Sequence, residues 1–172
     1  MFRRAKHPKV ILALLAITPV AILASAIVLD SPQTIAGGPS PQTLVQENYL
    51  AHLQSIHSMN ITAIQEAYAS NATLALTDTA GDTQNVAGPK NIATFFQAFM
   101  SQSFALPRFS KMNATVTVSG DTATLYSGLV VNGYNADANQ QAAYANLRIG
   151  YVRSGTSWLI SHETWNFTAA VT

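Results

Sequence analysis

The sequence predicts an α+β domain in which helices pack on one face of a curved sheet. Three observations predict it. Apolar residues recur every three or four positions in the first part of the body, the pattern of a helix with one buried face. Beyond Phe104 the chain runs in long β-rich segments separated by turn residues. Finally, 48% of the 172 residues are apolar and only 10% are charged, which suits a single well-buried core.

Each element has its own signature. From Thr43, the spacing of Val45, Tyr49, Leu53 and Ile56 predicts a first helix. Asn60 is a good N-cap for a short second helix carrying Ile61, Ile64, Ala67 and Tyr68. The period then shortens, and residues 72–78 and 82–87 read as two short strands around the turn Thr79-Ala80-Gly81. Gly88-Pro89 opens a third helix, since proline at the first turn loses no intrahelical bond. Ile92, Phe95, Phe96, Phe99 and Met100 form its broad apolar face, a pattern that belongs to core packing. Residues 109–118, 122–133, 142–153 and 157–167 are then expected as long antiparallel strands. Their turns are Ser119-Gly120-Asp121, the Asn-rich stretch 135–139 and Ser154-Gly155-Thr156.

The N-terminus reads as a separate region. Arg3, Arg4, Lys6 and Lys9 precede twenty uncharged residues, Val10 to Leu29, about the length of a membrane-crossing helix. Basic residues before such a span keep the N-terminus cytoplasmic, so residues 1–29 are expected to anchor a body outside the cytoplasm. In the alternative, Ala24-Ser25-Ala26 is a signal-peptide cleavage site and the body is secreted. Residues 30–42, rich in Pro, Gly and Ser, read as a flexible tether to a domain at 43–168.

Charge and residue types exclude several chemistries. The leader holds four of the nine basic residues and none of the eight acids, so the body is mildly acidic. It lacks the basic stripe that a phosphate backbone requires, and nucleic acid is not an expected partner. No cysteine is present, so neither disulfides nor thiolate metal sites are available. His52 and His57 lie five apart on a helix and share no face, and the sequence His162-Glu163-Thr164-Trp165-Asn166 is not a zinc motif. No metal or cofactor is therefore expected. Four Asn-x-Thr sequons, at Asn60, Asn71, Asn113 and Asn166, are candidate glycan acceptors in an exported chain.

Three segments carry a family resemblance: YASNA (68–72), GPKNIATFF (88–96) and WLISHETWN (158–166). Their order and spacing resemble the SnoaL-like branch of the NTF2-like superfamily. The resemblance implies a cone, three helices wrapped by a bent antiparallel sheet, with a pocket at the wide end and a convex face that commonly dimerises. A homodimer through the sheet is therefore expected. Members include isomerases, lyases and hydrolases as well as binding and assembly domains, so the fold does not choose a function.

The last strand divides by alternation into Trp158, Ile160, His162 and Thr164 on one face and Leu159, Ser161, Glu163, Trp165 and Phe167 on the other. The association domain of calcium/calmodulin-dependent kinase, a SnoaL-like member, resembles this chain over its last three strands. It matches a pocket arginine to Arg148 and two others to Gly128 and Trp165. The implied wall is Tyr126, Gly128, Tyr144, Asn146, Arg148, Ser161, Glu163 and Trp165, with Arg148 and Glu163 close enough to pair and His162 on the opposite side. That mixture of aromatic bodies and a few polar groups suits a small, mostly apolar ligand. If the domain is instead an isomerase, lyase or hydrolase, Glu163 is the base, Arg148 the electrostatic stabiliser and Tyr126 the donor. A third possibility is an assembly module whose pocket is closed.

Overall fold

The first helix begins where a side chain can satisfy its leading amides: Ser40 Oγ accepts from the Thr43 backbone at 3.1 Å, and Pro41 needs no donor partner. This helix, α1 (Pro41–His57), buries Val45, Tyr49, His52, Leu53 and Ile56 along one face. The computed structural model describes residues 38–103, 105–134 and 140–171, all within one compact unit. The expected anchor at 10–29 and most of the tether lie outside the described residues. Among the described residues no helix is long and apolar enough to cross a membrane.

Met59, at φ 54°, turns the chain into α2 (Ile61–Glu66), and Asn60 Oδ1 caps it by accepting from the Ala63 backbone at 3.1 Å. The helix ends two residues earlier than expected. Tyr68 is the first residue of β1 (Tyr68–Thr77), because the Ala67 carbonyl is taken by the Ile160 amide of the last strand. A turn in which Asp78 Oδ1 accepts from the amides of Ala80 and Asp82 leads to β2 (Thr83–Ala87). Then follow α3 (Pro89–Ser103), β3 (Ala105–Ser119), β4 (Thr122–Tyr134), β5 (Gln140–Ser154) and β6 (Ser157–Val171).

The six strands form one sheet in the order β2-β1-β6-β5-β4-β3. Neighbours are antiparallel except β1 and β6, which run parallel. The sheet is therefore mixed, not purely antiparallel as the resemblance implied. A parallel pair needs a long crossover, and everything from β2 to β5 supplies it. Register shifts in β3–β4 between Lys111 and Ala114, and in β5–β6 between Gly150 and Tyr151, bend the sheet around the helices.

The core lies between the helices and the inner face of the sheet. Leu125, Leu129, Leu147, Ile149 and Trp165 are buried there against Ile92, Phe96 and Met100 of α3. The Phe96 ring meets the Trp165 ring edge-on at 5.6 Å, so the expected core role of the α3 aromatics is what the fold uses. Tyr49 donates to Ser127 Oγ at 3.0 Å, and the Asn48 side-chain amide donates to the Trp158 carbonyl at 2.9 Å, which ties α1 to β4 and to β6.

Candidate functional site: a buried carboxylate beneath a cavity

Strict alternation fails twice along β6, at Ser161 and at Thr168, and the first of these decides the site. Gly150 pairs with His162 and Tyr151 with Ile160, leaving Ser161 as an extra, unpaired residue. The Ser161 hydroxyl donates back to the Gly150 carbonyl at 3.1 Å and holds this bulge. As a result Trp158 and Ile160 point inward before the bulge, and Glu163, Trp165 and Phe167 point inward after it. Each of the two sets read from the sequence was half of the buried face.

Glu163 is 1% exposed and faces three donors. His52 Nε2 lies 3.1 Å from Oε2 and 3.3 Å from Oε1, Trp165 Nε1 donates to Oε1 at 2.6 Å, and the Tyr68 hydroxyl donates to Oε2. Burial alone would raise the carboxyl above the usual range. The positive charge of the His52 ring when protonated and the three sets of hydrogen bonds outweigh burial, so the group sits below the usual range and is ionised at neutral pH. An ionised carboxylate only accepts, so Nε2 of His52 carries a hydrogen, and the tautomer with its one hydrogen there has a lone pair at Nδ1.

That second nitrogen is buried and has no hydrogen-bond partner, and the same is true of the Tyr151 hydroxyl. Both residues line one cavity of about 270 Å³ between α1, α2 and the start of β6. Asn48, Ser55, Glu66 and Trp158 complete much of its wall. Burial, then the charge of Glu163, pushes the Tyr151 hydroxyl well above its ordinary value, which keeps it a donor.

The structure does not bring together the site residues read from the sequence. Arg148 pairs across the strands with Tyr126 and Thr164, whereas Glu163 pairs with Ile149, so Arg148 and Glu163 lie on opposite faces of the sheet. On the outer face the Arg148 guanidinium sits 5.7 Å from the centroid of the Tyr126 ring. Tyr126 is 50% and Tyr144 40% exposed, and Asn146 is exposed beside them. The expected wall of Tyr126, Tyr144, Asn146 and Arg148 is therefore an outer surface. Trp165 is fully buried in the core, as a donor to Glu163. His162 lies on the outer face, with its ring over Gly150, where burial and the nearby Arg148 charge lower its pKa. Asn60, Asn71, Asn113 and Asn166 are exposed.

His52, Tyr68 and Tyr151 were missed as site residues. A signal for the first existed: His52 is three residues after Tyr49 and four before Ile56, inside the apolar stripe of α1. A histidine there is buried, and a buried histidine needs partners. Among the described residues no group of three His, Asp or Glu could hold a metal ion.

Comparison with known proteins bears on this geometry. The profile of the SnoaL-like domain family matches residues 42–164, from the first turn of α1 to the strand that carries Glu163. The chain belongs to the SnoaL-like domain family. Curated proteins give no match. Among solved structures, this SnoaL-like domain is similar to a candidate aromatic ring hydroxylase from Novosphingobium aromaticivorans, with TM-score 0.66, 18% identity, and 76% of this chain and 91% of the other covered. An NTF2-like protein with a cystatin-like fold from the same organism matches with TM-score 0.59, 20% identity and coverages of 72% and 79%. The CaMKII hub of S. rosetta matches with TM-score 0.60, 16% identity and coverages of 75% and 98%. Likeness at these identities establishes the NTF2-like fold, and the chemistry rests on the residues of the site.

Proposed function

We propose that the domain binds a small molecule in the cavity beside His52 and Tyr151 and moves a proton on it, with His52 as general base and Glu163 as its positioning residue. The observation that carries this reading is the division of labour on one imidazole. Its Nε2 is held by an ionised, buried carboxylate while Nδ1, on a residue of the cavity wall, has no protein partner. A carboxylate behind a histidine fixes the tautomer and stabilises the imidazolium that forms when the ring takes a proton. Isomerisation and elimination are the reaction classes that need only such a base. The cavity volume sets the ligand at about one ring in size, below the usual range of about 300–1,000 Å³ for small-molecule pockets.

The apolar run Val10–Leu29 with basic residues before it supports tethering to a membrane, the body lying outside the cytoplasm. In that compartment the exposed sequons are candidate acceptors. Self-association through the outer sheet face is supported by the exposed rings of Tyr126 and Tyr144, and the hub among the structural relatives bears a name for assembly.

The test is a screen of neutral cyclic compounds against the full-length chain by ligand-observed NMR in D₂O, which reads binding and C–H exchange together. Binding with exchange that is lost in His52→Gln is the expected result. Binding without exchange for every compound would remove the proton-transfer role, and no binding would remove the site.

A further inference from the structure

The sheet separates charge in a way that the mildly acidic composition of the body hides. Its six strands contain a single acid, Glu163, and that side chain faces the core. The strands therefore bring no carboxylate to the outer face, on which Arg148 and His162 are exposed. Gly150 brings these two together. Arg148 lies opposite Thr164 and His162 opposite Gly150, so they are diagonal neighbours on β5 and β6, about 7–8 Å apart and within reach of long side chains. With no Cβ at Gly150, the imidazole lies over β5, where a Cβ would come 1.8 Å from its Cε1. The Arg148 charge is felt there, adding to burial in lowering the His162 pKa. Among the described residues Arg148 has no carboxylate partner and packs on the Tyr126 ring. On the β1 side of His162 the short side chains of Ala75 and Ala87 leave a hollow of about 310 Å³, with Thr73, Asn85, Thr164 and His162 as polar groups of its wall.

We infer that this hollow on the outer face is a second binding site, for a small organic carboxylate whose head accepts from Arg148 and protonated His162 and whose body lies over Ala75 and Ala87. It is on the face opposite the His52 cavity and does not depend on the reading given there. A guanidinium fork matches the two oxygens of a carboxylate, and charge-assisted bonds of this kind are about twice as strong as neutral ones. Ser161 Oγ gives its hydrogen to the Gly150 carbonyl, so it accepts from His162 Nδ1 at 3.2 Å, and Nε2 is the nitrogen that gains a hydrogen when the ring is protonated. A bound anion offsets the Arg148 charge and favours that protonation, so affinity rises as pH falls. Among the described residues the neighbours of His162 on β1 and β2, namely Thr73, Ala75 and Asn85, do not titrate, Tyr126 stands beyond Arg148 on β4, and Glu163 faces the core. His162 is therefore the group that sets the pH dependence.

Lactate is the probe, lactamide its uncharged counterpart, and formate the carboxylate without a body. Each is added to the full-length chain at low, constant ionic strength, where surface charges are least screened, and followed by NMR of the ligand and of the His162 ring. Lactate is expected to bind at least about tenfold more tightly than either control. Its affinity should be greater at about pH 5.5 than at about pH 7.5 by a factor of about three or more, and the His162 ring should titrate at higher pH when lactate is present. Arg148→Gln should weaken lactate about tenfold, whereas His162→Gln should remove the pH dependence and leave the weaker binding of neutral pH. Both side chains are exposed, so an unchanged Tm is the check that each variant is folded. Lactamide binding as tightly as lactate, unchanged affinity in Arg148→Gln, affinity independent of pH, or no lactate binding would each overturn the inference. Formate binding as tightly as lactate would show adventitious ion attraction only and would overturn the use of the hollow.

Discussion

A single carboxylate organises the interior, and its environment decides what substitutions around it do. Glu163 is ionised with no solvent contact, so its charge is carried entirely by His52, Tyr68 and Trp165. His52→Ala leaves that charge with two donors, Tyr68 and Trp165, and taking a hydrogen-bond partner from a buried charge costs about 3 kcal/mol, the upper end for an unsatisfied buried group. Denaturant unfolding at pH 7 should register a loss of that order. Arg148 is the contrasting case. It is exposed and packs on Tyr126, so Arg148→Ala should change stability by no more than about 0.5 kcal/mol in the same measurement. A loss as large as that of the histidine variant would place Arg148 back beside Glu163 and contradict the register of β5 against β6.

At the scale of elements, the difference between what was legible and what was not comes down to one residue. The helical stripe of Val45, Tyr49, Leu53 and Ile56, the cap at Asn60, the Gly88-Pro89 opening and the turns at Gly120 and Gly155 are local signals, and each marks an element close to where the structure has it. The bulge at Ser161 is different, because an extra residue in one strand exists only relative to its partner. Without it, alternation carried Glu163 to the correct face yet drew Arg148 and Tyr126 along with it. The parallel pairing of β1 with β6 is likewise a property of the assembled sheet, and it is what brings Tyr68 to Glu163. Gly150 makes the bulge testable. A Cβ there would lie 1.8 Å from His162 Cε1, so Gly150→Ala must displace the His162 ring. Since an imidazole can swing outward on this face, the cost should sit near the low end of the overpacking range, about 1 kcal/mol. In a double-mutant cycle with His162→Ala that cost should vanish; persistence would locate the clash in the backbone of the bulge instead.

For the whole molecule, the same groups set how stability depends on pH. Glu163 has a folded-state pKa below its unfolded value, so its contribution is complete above the ordinary carboxylate pKa and is lost as pH falls through the depressed folded value. His162 is also depressed, and it adds a loss that begins higher, as pH falls below the ordinary histidine value of about 6.5. Tyr68 and Tyr151 act at the other end. Their pKa values are raised, by burial first and by the Glu163 charge second, so their contribution is complete below the unfolded value of about 10 and is lost as pH rises beyond it. Stability of the full-length chain, followed by thermal unfolding across pH, should therefore show a plateau between about pH 7 and 10 with a decline on each side. His162→Ala should remove the decline that begins below about pH 6.5 while leaving the steeper acid limb in place. Glu163→Gln should flatten the acid limb and also soften the alkaline one, because the charge that opposes tyrosinate formation is gone. An alkaline limb unchanged by Glu163→Gln would show that burial alone holds Tyr68 and Tyr151 protonated. The carboxylate would then be electrically isolated from the cavity wall on which it is proposed to act.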